Sequence, residues 1–416
     1  MTELSNPTLA PPPDAPPDAI WAGDDHGSSA APISYTRKIV RLTLAHAGAR
    51  IGLFWVIVIG LLAIFAPLLA NSHPFVMREN GHWRSPFLQY LTPADVVLQV
   101  MFWAAVVLFV LRRWSVARRA ATLAGIVAAA TIVSLLAVHP PEAPVYDIYR
   151  TGIKAGSITS AWFAPIRFSP DDHQRDDPDS RLKAPDRNHL MGSTADAADM
   201  ASNMIYATRT AISIGFVSTG VAVLLGVIMG GLMGYLGGWI DLLGMRLVEI
   251  FEAVPTFLLL LAFSAKFQTS PAVALYIMMA IIGVLSSFGY AEFVRAEFLS
   301  LRDRDFVQAA RAAGIPLRSI LFRHMLPNGL APVIVNASFG IAGAILIESS
   351  LSFLGIGLQS ESSWGSLLEQ ALGSGGTFFW WLAVYPGAAI FLTVLAYNLI
   401  GESLRDALDP RLNKME

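Results

Sequence analysis

Hydrophobic and polar stretches alternate along most of the chain. Eight of the apolar runs are about 20 residues long, the length that an α-helix needs to cross the hydrocarbon core of a bilayer. Several contain Gly or Pro, which membrane-embedded helices tolerate where neighbouring helices satisfy the backbone. The pattern predicts membrane-spanning helices at residues 51–70, 94–111, 120–138, 210–235, 247–265, 272–294, 329–351 and 378–400.

The runs at 94–111 and 120–138 leave two interpretations open. Apolar runs this short also form buried helical hairpins in soluble insertions. The turn between these two runs carries four arginines, namely Arg112, Arg113, Arg118 and Arg119. Clustered arginines in a short loop are typical of the cytoplasmic side of a membrane, so the turn favours two crossings.

Basic residues also predict the orientation. They precede the first span, occupy the turn at 112–119, fill the loop after the sixth span and recur near the C-terminus, whereas residues 357–376 contain none. Eight crossings place both termini on one side, and the positive-inside rule makes that side the cytoplasm. The loop at 139–209 holds basic residues too, but long loops translocate largely regardless of charge. Its Pro and Asp residues predict a small external cap of irregular structure.

Composition agrees with a membrane protein and excludes several kinds of site. Hydrophobic residues make up 54% of the chain and charged residues 14%, against about 25% charged in soluble domains. The net charge of −2 gives no indication of a nucleic-acid partner. The chain has no cysteine, which excludes disulfides, thiolate metal sites and cysteine nucleophiles.

These patterns divide the chain into six segments. Residues 1–40 are expected to be a disordered cytoplasmic tail, because residues 1–34 are rich in Pro, Ala, Asp and Ser. The other segments are the first transmembrane helix and its external loop at 41–93, an extra transmembrane hairpin at 94–138, an external loop region at 139–204, a helical core with a cytoplasmic loop at 205–404, and a cytoplasmic tail at 405–416.

The cytoplasmic loop at 296–327 is the most informative part of the chain, above all its portion 303–327. Asp305 is predicted to cap a helix, with Gln308 as its reciprocal partner. One face of that helix combines small residues with a single aromatic ring: Phe306, Ala309, Ala310 and Ala313. Gly314 is expected to end the helix, and Pro316 suits the first turn of the next. The loop therefore predicts a short helix–turn–helix at the membrane surface.

An amphipathic linker resting on the membrane would explain the same arginine-rich pattern. The spacing, however, resembles the EAA loop of bacterial ABC importer permeases, with Gln308-Ala-Ala, then Gly314, then His324-Met-Leu-Pro327. In that family the loop is the coupling helix that docks on the ATPase subunit. The resemblance implies the following ATPase-coupling residues: Asp305, Phe306, Gln308, Ala309, Ala310, Gly314, His324 and Pro327. Gln308 replaces the family's Glu, and His324 its usual Ile.

The resemblance extends in order over most of residues 205–412. It includes Gly234-Tyr-Leu-Gly-Gly238, Ile347-Glu-Ser-Ser-Leu-Ser-Phe-Leu-Gly-Ile-Gly357 and Tyr385-Pro-Gly387. The chain is similar to the C-type permeases of oligopeptide, dipeptide and nickel importers. The fragments Glu79-Asn-Gly-His-Trp83 and Trp162-Phe-Ala-Pro-Ile-Arg167 resemble a subgroup with an enlarged external insertion. The segment Gly192-Ser-Thr-Ala-Asp-Ala-Ala-Asp199 departs from the family pattern and keeps only its outer Gly and Asp.

This resemblance implies a fold, a location and a set of partners. The fold is an all-α polytopic membrane protein with a six-helix permease core and two extra transmembrane helices near the N-terminus. The location is the bacterial inner membrane, with multiple passes and both termini cytoplasmic. The partners are a second homologous permease, one or two ATP-binding cassette ATPase subunits, an extracytoplasmic substrate-binding protein and the lipid bilayer, with no nucleic acid. The chain would form half of the translocation pathway.

Three polar residues on the seventh predicted span are pathway candidates. Glu348 is ionisable and lies within a span, which makes it a functional candidate, and Ser349 is its neighbour. A structural carboxylate paired with a partner subunit remains the alternative. Asn336 is the third candidate, although helix–helix hydrogen bonding would also explain it.

No motif predicts chemistry in this chain. No lysine follows a glycine, so a phosphate-binding loop is absent, and no histidine pair has helical zinc-ligand spacing. The sequence therefore predicts a transport subunit that is not an enzyme and needs no cofactor or metal. A stand-alone secondary transporter would need intramembrane carboxylates and internal repeats, and an intramembrane hydrolase would need a recognisable catalytic set. Oligopeptides are the favoured solute, and nickel or another small solute stays open.

Overall fold

A computed structural model describes residues 35–111, 114–141, 145–174, 177–266, 271–357, 362–373 and 376–408. The helices are α1 (Tyr35–Ala45), α2 (Ala47–Leu69), α3 (Pro93–Val110), α4 (Val116–Ala137), α5 (Asp147–Lys154), α6 (Met200–Leu236), α7 (Gly238–Glu252), α8 (Thr256–Lys266), α9 (Pro271–Arg302), α10 (Asp305–Ala312), α11 (Leu317–Ser319), α12 (Leu326–Phe353), α13 (Trp364–Glu369) and α14 (Trp380–Leu408). The strands are β1 (Val76–Glu79), β2 (His82–Arg84) and β3 (Ile158–Trp162). Helix therefore dominates this part of the chain, as predicted.

Seven helices within the described ranges are long and apolar enough to cross a membrane. They coincide with seven of the eight predicted spans. The prediction of one continuous helix over 247–265 is wrong, because α7 ends at Glu252 and α8 begins only at Thr256. Pro255 lies in the break, where it lacks an N–H and disfavours the helical conformation of Val254.

The structure describes only part of the two predicted terminal tails. Residues 35–40, assigned to the disordered tail, belong instead to α1. Residues 1–34 and the tail from residue 409 lie outside the described residues, as do Arg112 and Arg113 of the hairpin turn.

Close packing of α6 against α9 forms the centre of the fold. Gly226, Gly230 and Gly234 recur at four-residue spacing and place one glycine stripe of α6 directly on α9. A Cβ at Gly234 would lie 2.7 Å from both the carbonyl oxygen of Arg295 and the Cβ of Phe298. Larger residues would push the two helices apart, so the stripe sets their separation.

A second contact region joins α2, α12 and α14. Trp55 on α2 donates from Nε1 to Oγ1 of Thr393 on α14 at 3.0 Å. The buried side chains of Ala211, Ile345 and Tyr397 belong to one apolar cluster that links α6, α12 and α14. These helices therefore form one packed core around α6.

Residues 70–92, 145–174 and 177–199 fold together into a small unit that we call the insertion. Its three strands form an antiparallel sheet in the order β2-β1-β3, with Met77 paired to Arg84 and to Ala161. The buried side chains of Met77, Tyr149 and Ile158 pack beneath the sheet. The expectation of irregular structure holds for most of residues 163–199 but not for α5 and β3, and the external location of this unit stays a prediction. Asn80 and Gly81 both have positive φ, at 48° and 85°, and form the two-residue hairpin turn between β1 and β2.

The hairpin of α3 and α4 is attached to the core by polar contacts near the start of α3. Thr92 and Asp95 form a reciprocal capping box at that start. Asp95 also accepts a hydrogen bond from Nη1 of Arg209 on α6 at 2.6 Å. Nε2 of Gln99 donates to the carbonyl oxygen of Ile64 on α2 at 2.7 Å. The extra hairpin thus belongs to the same helical assembly as the core.

Candidate functional site

The predicted coupling helix is present as α10, but its start differs from the prediction. Arg304 occupies the N-cap position and makes no side-chain capping bond, so Asp305 is the first helical residue rather than the cap. Nε2 of Gln308 donates to the carbonyl oxygen of Arg302 at 3.2 Å, whereas a capping box requires this side chain to accept from the backbone N–H of the cap residue. The capping-box prediction is therefore wrong, although Asp305 still places a negative charge at the helix N-terminus.

Burial separates the two sides of α10. Val307 is fully buried and Ala310 nearly so, while Ala309 and Ala313 are exposed and Phe306 is 40% exposed. Of the four residues predicted to share one face, Ala310 therefore points into the protein. The other three form a surface of one aromatic ring and two methyl groups, which we call the α10 surface (Phe306, Ala309 and Ala313).

The end of α10 agrees with the prediction. Gly314 has a φ of +69°, a conformation that side chains with a Cβ rarely adopt. Its N–H donates to the carbonyl of Arg311 at 2.9 Å, and the N–H of Ile315 donates to that of Ala310 at 3.1 Å. Pro316 is extended and precedes α11 rather than lying in its first turn.

The remaining predicted coupling residues lie where α11 leads into α12. A π-helical segment at Ile320–Met325 joins the two helices and contains His324, which is half-buried. The carbonyl oxygen of His324 accepts a hydrogen bond from Nδ2 of Asn328 at 2.6 Å. Pro327 is exposed in the first turn of α12. His324 and Pro327 thus help to shape the connection and do not belong to the α10 surface.

Apolar and cationic contacts fix α10 to the membrane helices. Val307 and Ala310 pack in one cluster with Phe298 of α9 and with Ile320 and Met325 of the π-helical segment. On the neighbouring side, the Arg311 guanidinium lies over the ring of Tyr235 on α6, with its Cζ 4.6 Å from the centroid. Helix α10 is therefore in contact with α6, with α9 and with the segment that leads into α12.

Of the pathway candidates, Glu348 has the most constrained environment. It is 1% exposed and accepts hydrogen bonds from Oγ of Ser352 at 2.7 Å and from Oγ of Ser349 at 3.3 Å. Ser349 is itself buried. The carboxylate therefore lies beneath the surface of this chain and does not face a delivering partner directly.

Asn336, the third candidate, lies twelve residues before Glu348 on α12 and is half-buried. Its carbonyl oxygen accepts a hydrogen bond from the hydroxyl of Tyr290 on α9 at 3.0 Å. A Cβ at Gly340 would collide with that same hydroxyl. The described contacts of Asn336 thus belong to helix packing, and its role in a pathway stays a prediction.

A cavity of about 790 Å³ beside Glu348 was not predicted. Ser352 lies on its wall, so the hydroxyl that binds Glu348 also borders this space. Three carboxyl-bearing residues line it, namely Asp171, Asp196 and Glu369. They come from separate segments of the chain. No local sequence signal brings these segments together.

The segment that departs from the family pattern has a clear structural task. Asp199, one of the two retained residues, accepts from the backbone N–H of Ser202 at 2.8 Å and caps α6. Its other carboxylate oxygen lies 2.8 Å from Nδ1 of His189, and both side chains are buried. The retained Asp therefore starts the longest helix of the described chain.

Comparison with known proteins places this architecture in a family. Residues 222–414 match the family described as binding-protein-dependent transport system inner membrane component. The chain is 38% identical to the dipeptide transport system permease protein DppC of Alkalihalophilus pseudofirmus, over 61% of this chain and 82% of that relative. It is 34% identical to the oligopeptide transport system permease protein OppC of Haemophilus influenzae, over 60% and 78%.

A further relative matches more of the N-terminal region. The inner membrane ABC transporter permease protein YejE of Escherichia coli is 29% identical over 354 residues, which cover 84% of this chain and 89% of that relative. An alignment of this length includes much of the chain before residue 222. Together with the seven apolar helices of the described residues, these matches show that the chain is a multi-pass membrane protein of the family of binding-protein-dependent transport system inner membrane components.

Proposed function

We propose that this chain is the permease subunit of an ATP-driven importer of oligopeptides and forms half of the pathway. Its relatives are named as permeases for dipeptides, oligopeptides and glutathione, and the first of them is 38% identical. Their solutes share a peptide bond, which supports peptides over nickel or another small solute. The arginine distribution supports a cytoplasmic location of both termini in a bacterial inner membrane.

The observation that carries this proposal is the α10 surface. Phe306 is 40% exposed, although the helix is anchored from behind by the fully buried Val307. An exposed aromatic ring on a firmly seated helix is suited to insert into a groove of a partner protein. We assign this groove to an ATPase subunit, which would transmit its conformational change through α10 to α9 and α12.

An importer of this kind also needs subunits that hydrolyse ATP, complete the pathway and deliver the substrate. No lysine follows a glycine in the sequence, which leaves no phosphate-binding loop of the Gly-Lys-Ser/Thr type, and we assign the energy supply to one or two ATPase subunits. A second permease would complete the pathway, and a substrate-binding protein would deliver the peptide from the other side of the membrane.

Co-purification and coupled ATPase activity test the proposal. The Phe306→Asp variant should lose the ATPase subunit on purification, because it places a charge in the apolar contact. The matched control is Phe378→Asp, since Phe378 is 59% exposed but lies before α14, away from the coupling loop. Peptide-stimulated ATP hydrolysis should vanish in the first variant and persist in the control. Equal ATPase retention by both variants would refute a contact through α10.

A further inference from the structure

A second cavity, of about 550 Å³, lies between the insertion and the start of α6. Its wall is amphipathic. Arg150, Arg167 and Arg187 contribute guanidinium groups, while Ile166 and Phe168 contribute apolar surface and Ala201 of α6 closes one side. None of these residues belongs to the coupling loop or to the pathway candidates, so this cavity needs its own explanation.

Charge pairing within the cavity leaves an excess of positive charge. Arg150 donates to both carboxylate oxygens of the buried Asp172, at 2.6 and 3.1 Å, so its charge is balanced. Asp199, the acidic residue on the wall, is already engaged by His189 and by the start of α6.

Arg167 and Arg187 form no ion pair among the residues that the structure describes. The acid nearest to Arg187 in sequence, Asp186, is paired with Lys183 at 2.7 Å. Cζ of Arg167 lies 5.8 Å from the ring centroid of Phe163, which holds its guanidinium over an aromatic face. Two exposed cations at one cavity favour a ligand with anionic oxygens, since guanidinium binds phosphate and carboxylate in a bidentate manner.

The position along the membrane helices identifies the source of that anion. The N–H of Ile166 donates to the carbonyl of Leu69 at 3.0 Å, which places the cavity wall beside the end of α2. The hydroxyl of Tyr206 on α6 lies 3.4 Å from the carbonyl oxygen of Ala70 at that same end. Ala201 lies five residues earlier on α6, about 7.5 Å beyond this level at a rise of 1.5 Å per residue. The headgroup layer on each side of a bilayer is about 5 to 8 Å deep. If α2 ends at the edge of the hydrocarbon core, the level of Ala201 falls within the headgroup layer.

Exposed apolar side chains around the cavity agree with a position at the membrane–water interface. Trp162 is 79% exposed and Leu190 is 64% exposed. Tryptophan is typical of the membrane–water interface, where an apolar ring and nearby cations meet lipid headgroups. We infer that the cavity formed by Arg167, Arg187, Phe168 and Ala201 binds the phosphate of an anionic phospholipid headgroup.

Lipid binding to the purified full-length chain tests this site. Native mass spectrometry would count bound phosphatidylglycerol, with phosphatidylcholine as the lipid of neutral headgroup. The double variant R167Q/R187Q should bind phosphatidylglycerol about 30-fold more weakly, as expected for the loss of two cations at a membrane surface. The variant R167K/R187K keeps both charges and should retain most of the binding.

The matched control is R78Q/R181Q, which removes two exposed arginines of the insertion that do not line the cavity. It should leave phosphatidylglycerol binding essentially unchanged. Equal losses in the two glutamine variants would mean that general surface charge attracts the lipid, and the site would be rejected. Competition by millimolar inorganic phosphate would assign the cavity to a soluble phosphate, and competition by trialanine would assign it to a peptide carboxylate. Either result would contradict the proposed lipid site. Thermal unfolding of each variant checks that the fold is retained.

Discussion

Arg209 supplies the hydrogen-bond donor that Pro67 cannot provide. Pro67 lies inside α2 and has no N–H, so the carbonyl of Ala63, four residues earlier, has no helical partner. Nε of Arg209 donates to that carbonyl oxygen at 2.6 Å. The same guanidinium donates from Nη1 to Asp95 of α3. One side chain of α6 thus stabilises a proline site in α2 and holds the start of the extra hairpin.

The Asp95–Arg209 pair should be important for the stability of the hairpin. Asp95→Ala leaves the largely buried Arg209 without its counter-charge, which costs about 3 kcal/mol when a buried pair is broken. Thermal unfolding of the purified protein should show a clear drop in the midpoint. The control Glu79→Ala breaks a more exposed pair with Arg84 and should cost much less. Equal shifts for the two variants would show that the Asp95 pair contributes little.

Gly314 should control the geometry of the coupling loop. Gly314→Pro removes the N–H that bonds Arg311 and cannot adopt a φ of +69°, so it should abolish peptide uptake while membrane insertion persists. Gly314→Asn is the matched variant, because Asn tolerates the left-handed region, and it should keep most of the uptake. Uptake of a radiolabelled peptide by cells, with the amount of inserted protein measured in parallel, separates the two. Normal transport by the proline variant would contradict a role for this turn.

Much of the coupling loop could be predicted because its signals are local. The glycine after α10 depends only on neighbouring residues, and this expectation holds at Gly314. The predicted common face holds for Ala309 and Ala313 but not for Ala310, which is buried. The start of α10 was predicted wrongly because Asp305 and Gln308 suit a capping box and equally well a first helical turn. The local sequence is compatible with both arrangements and does not decide between them.

Two other differences also have physical reasons. Pro255 is a sequence signal for the break between α7 and α8. The high hydropathy of residues 247–265 nevertheless predicts one continuous span, because membrane helices tolerate a single proline. The hairpin of β1 and β2 was missed although Asn80-Gly81 is a strong turn signal, because the strands are only four and three residues long. The two cavities join distant segments, so only tertiary contacts reveal them.

The hairpin turn should be accessible from the side that we propose to be cytoplasmic. The chain has no cysteine, so single substitutions can be labelled without a background. Ser115→Cys, at the exposed start of α4, should react with a membrane-impermeant maleimide only from the cytoplasmic side. The control Ser160→Cys lies exposed on β3 and should react only from the opposite side. Reaction of both positions from the same side would mean that the hairpin does not cross the membrane.

The stability of the insertion should depend on pH through His73. This side chain is 2% exposed, stacks on Tyr90 with ring centroids 3.6 Å apart, and places Nδ1 3.0 Å from Oδ1 of Asn71. Burial lowers the pKa of His73 from 6.5 to about 4, partly offset by the nearby charge of Asp172. The unfolded segment therefore binds the proton more readily between these values, so the stability is complete above pH 6.5 and falls as the pH drops towards 4.

Hydrogen exchange of the β1 and α5 peptides at pH 7 and pH 5, corrected for the intrinsic rate, measures this effect. Protection should fall at pH 5 in the wild type and much less in His73→Phe, which keeps the aromatic stacking but has no titratable group. His82→Gln, an exposed histidine of β2, should behave like the wild type. An unchanged pH dependence in His73→Phe would assign the effect to another group.

Glu348 offers the sharpest test of the proposed pathway, because charge and hydrogen bonding can be changed separately. Its carboxylate accepts from Ser349 and Ser352, and Ser352 also borders the 790 Å³ cavity. Glu348→Gln removes the ionisable group but keeps an acceptor oxygen, and the serine hydroxyls can rotate to accept from its amide. The variant should therefore assemble normally and yet take up peptide differently from the wild type.

Glu348→Ala leaves buried hydroxyls without their acceptor, which costs about 1 to 3 kcal/mol of stability, and it should impair assembly as well. Ser350→Ala, at an exposed position of the same helix turn, should affect neither. Uptake assays and co-purification of the second permease distinguish these results. Normal uptake by the Gln variant would show that transport does not need the ionisable group. Failure of the Gln variant to assemble would show that Glu348 has a structural role.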